Sequence, residues 1–137
     1  MRENQVVDLL CAWLSSKAYE IISCAHDKQS GDDIRAKSRN GALFKIECKG
    51  STHKEGREFP PNAKYQNVAS AFFNQVTLRE KEPQSEIGIA FPDDRIAFPD
   101  DPYSYRSRME PLRAFCEKNR LRIFWVSENS ENSVSEW

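Results

Sequence analysis

Nowhere in this chain of 137 residues is there a run of about 18 apolar residues, which excludes a membrane-spanning helix. A basic-then-apolar leader is also missing, since Glu3 and Asp8 stand near the N-terminus, so no secretory signal is expected. The four cysteines (Cys11, Cys24, Cys48, Cys116) never form a C-x-x-C pair. Each lies in an apolar segment, as small core residues do, which predicts reduced thiols and a cytoplasmic protein. There are two histidines, and His26 has no second His or Cys at ligand spacing, so it is expected at the surface. Excess charge is lacking as well: the net charge is −1, which does not advertise a nucleic-acid binder.

What remains is an ordinary globular composition, 39% hydrophobic and 11% aromatic, in a chain long enough for one domain with a real core. Its charge is unevenly spread. Between Lys28 and Lys64 nine Lys/Arg stand against five Asp/Glu, a surplus of four; the rest carries eleven against sixteen, a deficit of five. A basic face on an otherwise acidic body suits contact with phosphate.

The most informative stretch is GDDIRAKSRNGALFKIECKG, residues 31–50. Asn40-Gly41 between apolar runs predicts a β-hairpin. Its first strand opens with Asp32-Asp33 before Ile34, and its second runs from Ala42 to Lys49. Alternation puts Phe44, Ile46 and Cys48 on one face and Lys45, Glu47 and Lys49 on the other. A carboxylate and an ammonium thus sit side by side at a strand end, with Asp33 on the neighbouring strand. Read alone, that face also suits a solvated strand with a cross-strand ion pair.

An acidic residue, a hairpin and then Glu-x-Lys resembles the signature of the PD-(D/E)xK nuclease superfamily. That group includes restriction endonucleases, Holliday-junction resolvases and RecB-type nuclease domains. Glu47-Cys48-Lys49 matches the second half of the signature. In the first half Gly31-Asp32 replaces the usual Pro-Asp, and an Asp directly before an apolar strand residue points to Asp33. The resemblance implies catalysis by Asp33, Glu47 and Lys49. It also implies Mg²⁺, with Mn²⁺ as substitute, held by Asp33, Glu47 and the Cys48 backbone carbonyl. Hydrolysing a phosphodiester sets water against an already anionic phosphorus, so oxygen ligands for a hard cation and a nearby ammonium are the chemistry required. Glu3 on the first helix is implied in a metal-supporting role; an acid placed at the positive end of the helix dipole is the alternative. A glutamine on the helix after the signature is also implied as catalytic, with Gln66 favoured and Gln75 the rival.

Around this centre, Arg2 to about Lys17 reads as a helix with Glu3, Val7, Leu10 and Leu14 on one stripe. Residues 19–25 read as a strand and 26–31 as a polar turn. Residues 51–62 form a Gly/Pro-marked loop expected to hang over the site. Its His53, Lys54 and Arg57, with Lys64 just beyond, are the candidate phosphate contacts. A helix follows from Ala63 to about Arg79, then a strand at 85–91. A helix is expected at 105–120, disturbed by Pro111, with Met109, Leu112, Phe115 and Cys116 inward. A closing strand follows at 121–126. The tandem IAFPDDR–IAFPDD at 89–101 repeats Pro-Asp, but no Glu-x-Lys strand follows either copy, so it reads as a duplication lengthening a loop.

The expected fold is α/β: a restriction-endonuclease-like core ordered α-β-β-β-α-β-α-β, with a mixed sheet flanked by helices, over residues 1–126. Residues 127–137 form an acidic tail, frayed unless Val134 and Trp137 pack back. The expected activity is metal-dependent hydrolysis of DNA phosphodiesters. With no room for a sequence-reading domain, it would select DNA structure, pair as a homodimer or work within a larger complex. The alternative is a non-catalytic nucleic-acid-binding or assembly module on the same fold.

Overall fold

The apolar stripe near the N-terminus forms helix α1 (Glu3–Ser16), whose Val6, Val7, Leu10 and Leu14 are buried. The computed structural model describes residues 1–25, 32–95, 99–129 and 131–137. The polar turn with His26, and the start of the second tandem copy at 96–98, lie outside the described residues.

Strands β1 (Glu20–Cys24), β2 (Ile34–Lys37) and β3 (Leu43–Cys48) make an antiparallel meander. The β2–β3 turn closes with the Gly41 N–H donating to the Ser38 carbonyl at 2.9 Å. Gly41 sits at φ +84°, a left-handed conformation that glycine adopts without cost. Helix α2 (Pro61–Lys81) then crosses over so that β4 (Glu86–Pro92) lies parallel to β3. A second crossover contains α3 (Tyr105–Met109), one 3₁₀ turn (Glu110–Leu112) and α4 (Arg113–Lys118). It leads to β5 (Leu121–Val126), parallel to β4. The six-stranded mixed sheet keeps its strands in sequence order.

Two features differ from the sequence expectation. The C-terminal segment adds a sixth strand, β6 (Val134–Glu136), antiparallel to β5. Val134 is buried, and Trp137 meets Trp125 edge-on at 5.6 Å, so apolar anchoring overrides the polar composition around them. The expected helix at 105–120 is broken into three pieces at Pro111, which has no N–H to donate and whose ring crowds the preceding turn. The break leaves Met109 and Cys116 buried but turns Phe115 out, 44% exposed.

The sheet separates two cores. On one face Phe44, Ile46 and Cys48 of β3 pack with Ala90, Phe124 and the buried side of α1. On the other, Ile87, Ile89 and Phe91 of β4 pack with Val68 and Ala71 of α2. There Phe91 stacks on Tyr105 at 4.8 Å and on Trp125 at 5.6 Å. Burying each such large side chain contributes about 1.5–3 kcal/mol. Because β3 gives its apolar face to α1, Lys45, Glu47 and Lys49 face the α2 side, and the chemistry sits where β3 ends.

Candidate active site

The site is built from three segments meeting at one edge of the sheet. In the β2–β3 register Ile34 pairs with Ile46, so Asp33 and Glu47, each one position further, face each other across the strands. The Asp33 Oδ2 accepts the Cys48 N–H at 2.6 Å, which ties the carboxylate to the end of β3. Glu47 Oε1 lies 2.8 Å from Lys49 Nζ, and both side chains are largely shielded. The third segment is the N-terminus of α1. A Cβ on Gly50 would fall 2.5 Å from the Glu3 backbone nitrogen, so only glycine lets the helix start abut the strand end.

Electrostatics knit these groups together. Burial pushes the Asp33 carboxyl up from the usual 3.8 to about 7; the Cys48 N–H opposes this, while the charges of Glu47 and Glu3 add to it. Burial works against the Lys49 ammonium, yet its hydrogen bond to Glu47 and the charges of Glu47, Glu3 and Asp33 hold its pKa above the ordinary value. Glu3, on the first turn of α1, is therefore coupled to both groups. The Cys48 thiol is fully buried on the α1 face, so only its backbone belongs to the site.

The structure separates the adjacent acids. Asp32 turns to Arg35 at 3.6 Å and to Lys45 at 4.0 Å, while Asp33 alone binds the end of β3. Lys45 is bound in turn to Glu82 at 2.8 Å, an internal ion pair off the site.

Two sequence expectations change here. Gln66 is exposed on α2, whereas Gln75 is buried and donates from Nε2 to the Gly88 carbonyl at 2.7 Å. Helical periodicity turns the later glutamine, not the earlier, toward the sheet, where the Gly88 carbonyl takes up its amide. Lys64 is not a surface phosphate contact. It is 5% exposed, with Nζ 3.2 Å from Asp94 and 3.3 Å from Glu58, and its charge is consumed internally. The tandem acids are structural too. Asp93 takes a bidentate pair from Arg106 at 3.2 and 2.9 Å, and Asp101 accepts from the Tyr103 N–H at 2.9 Å.

The other loop residues do stand by the site. A short hairpin follows β3: Thr52 bridges Glu58, His53 N–H donates to the Arg57 carbonyl at 2.8 Å, and Gly56 takes φ +84°. His53, Lys54 and Phe59 line a groove of about 520 Å³ together with Arg2 and Glu3, and Arg57 is exposed on the same turn. Sequence reading missed Tyr105, whose hydroxyl donates to the Gly50 carbonyl at 2.6 Å and accepts from Asn67 at 2.9 Å. Beforehand it was only the first residue of an expected helix, which signals no site.

Among the described residues no group of three or more His, Cys, Asp or Glu side chains converges to hold a metal by itself. Two carboxylates and a backbone carbonyl are nevertheless the oxygen donor set that suits Mg²⁺, which keeps several waters and binds through one or two carboxylates.

No protein-family model matches the sequence, and no curated protein matches it significantly. The backbone is similar to an XisH family protein from Nostoc punctiforme, with TM-score 0.51 and 15% identity over 91% of this chain and 90% of that one. It is also similar to an fdxN element excision controlling factor protein from Anabaena variabilis, with TM-score 0.54 and 16% identity over 91% and 89%. The likeness extends over a six-stranded mixed sheet flanked by helices, an α/β fold consistent with a nuclease-like core.

Proposed function

We propose that the protein is a metal-dependent nuclease that hydrolyses DNA phosphodiesters, selecting its target by DNA structure or through a partner. The observation that carries this reading is the facing of Asp33 and Glu47 at the end of β2 and β3, with Lys49 beside them and Glu3 acting on Asp33 and Lys49. Asp33, Glu47 and the Cys48 carbonyl would hold Mg²⁺ or Mn²⁺, with Glu3 in support. When bound, that cation supplies Lewis-acid polarisation of the phosphoryl group and makes water more acidic. Lys49, already an ammonium partnered by Glu47, neutralises charge developing on the phosphate and orients water towards it. His53, Lys54 and Arg57 contact the phosphates that flank the break. Gln75 holds the β4 backbone beside β3. The description of one structural neighbour as an excision controlling factor is compatible with work on DNA.

A second reading, a nucleic-acid-binding module without catalysis, is favoured by one observation: Asp33 and Glu47 each already have an internal partner. Incubation of linear, nicked and four-way-junction DNA with Mg²⁺ or Mn²⁺ separates the two. Cleavage by wild type that disappears in Asp33→Ala and Glu47→Ala supports the nuclease. DNA binding that weakens steeply with salt, ignores Mg²⁺ and never cuts supports the module.

A further inference from the structure

The groove beside the site contains an aromatic side chain that neither core uses. Phe59 belongs to neither hydrophobic cluster, yet it walls the 520 Å³ groove and also borders a second, smaller cleft near Pro61 and Tyr103. Its ring centroid lies 4.5 Å from that of His53 at an interplanar angle of 89°. The two perpendicular rings make a corner, and both residues line the groove. The corner is preorganised. Phe59 N–H donates to the Ser51 carbonyl at 2.8 Å, His53 N–H to the Arg57 carbonyl at 2.8 Å, and Gly56 N–H to the His53 carbonyl at 2.9 Å. Around it stand the Arg2 and Lys54 side chains and the Thr52 hydroxyl. Glu3 lines the same groove, and its backbone abuts Gly50, the residue after Lys49, which places the groove beside the candidate site.

We infer that the Phe59–His53 corner receives an unpaired nucleobase of the bound strand, so that the protein prefers DNA with single-stranded nucleotides next to the scissile phosphate. Stacking on an aromatic face is tolerant of base identity, and flanking cations track the backbone. A base in a closed duplex is already stacked on its neighbours and cannot enter a corner of this kind, whereas a flap, gap or frayed end offers one freely. This inference rests on the nuclease reading for its meaning, but its test does not depend on cleavage.

The test titrates the full chain, in EDTA, into oligonucleotides carrying 2-aminopurine, either single-stranded or in a blunt duplex. The expected result is tighter binding of the single strand, with quenching of the 2-aminopurine as it stacks. Phe59→Leu should lose that quenching and on the order of 10-fold in single-strand affinity while duplex affinity stays put. Phe59→Trp should restore both, which a merely structural role for Phe59 would not produce. Equal affinity for strand and duplex, absence of quenching, or an equal loss on both substrates in Phe59→Leu would overturn the inference. The two readings fail separately. Phe59-dependent quenching without cleavage of any DNA sinks the nuclease and keeps the base site. Blunt-duplex cleavage that is undiminished in Phe59→Leu, with no single-strand preference, sinks the base site and keeps the nuclease.

Discussion

Two groups of acids stand along the same edge of the sheet and are treated in opposite ways. After β4, Asp93 is matched by the Arg106 guanidinium, itself 4.4 Å above the Trp125 ring. Beside it Asp94 receives Lys64 at 3.2 Å and the Tyr105 N–H at 3.0 Å, although its Oδ1 is buried without a partner. At the β2–β3 end Lys49 is engaged by Glu47, and among the described residues Asp33 has the Cys48 N–H and the more distant Lys49 charge set against burial and the carboxylates of Glu47 and Glu3. The first cluster spends its charge on holding α2, α3 and β4 together. The second leaves Asp33 in a shielded place that raises its pKa to about 7, so that it keeps its proton at pH values where an ordinary carboxyl has lost it. Local residue types do not distinguish them; the difference lies in which cations the fold delivers.

Substitutions on the two sides should therefore break different things. The largest expected effect is on activity: Lys49→Ala lowers kcat by about 10²–10³-fold. The counterpart is Lys64→Met, which strands Asp94 without its cation. It should cost about 3 kcal/mol in urea unfolding and leave the pH dependence of any cleavage unchanged.

A smaller effect sharpens the contrast through pH. The folded Asp33 carboxyl titrates at about 7 against an ordinary value of 3.8, so between those limits the folded state holds a proton that the unfolded chain has lost. Its contribution to stability is present at pH 4 and is lost as the pH rises towards 7. In EDTA the melting temperature of wild type should fall over that range, and Asp33→Asn should flatten the fall. Adding Mg²⁺ at pH 8 should raise the melting temperature of wild type but not of Asp33→Asn.

The smallest expected effect lies at the junction of the two clusters. Tyr105 links them, its N–H on Asp94 and its hydroxyl on the Gly50 carbonyl. Tyr105→Phe removes the second bond and leaves a buried acceptor unpaired, which should cost about 1 kcal/mol in urea unfolding.

Much of this arrangement is legible before any coordinates. Alternation at 42–49 assigns Glu47 and Lys49 to one face because a strand has a period of two, and Asn40-Gly41 sets the hairpin that places Asp33 opposite. The helical stripe ending at Leu14 and the order of helices and strands follow from periodicity alone. Gly50 and Tyr105 were not legible as site residues, because their roles depend on contacts with Glu3 and with each other across many residues of chain. Nor could composition place Val134 and Trp137 on the sheet, since the polar residues around them say nothing of the apolar surface left open beside β5.

The sequence by itself determined the order of helices and strands through β5 and the hairpin joining β2 to β3, since these depend on short-range periodicity and turn chemistry; the choice of Asp33 to go with Glu47-Cys48-Lys49 came from the family resemblance. Only the tertiary structure decided that Lys64 is an internal counter-ion, that Gln75 rather than Gln66 reaches the sheet, and that Phe59 is left outside both cores. Those outcomes depend on which distant segments fill the space around a side chain, and burial, unlike alternation, is a property of the whole fold.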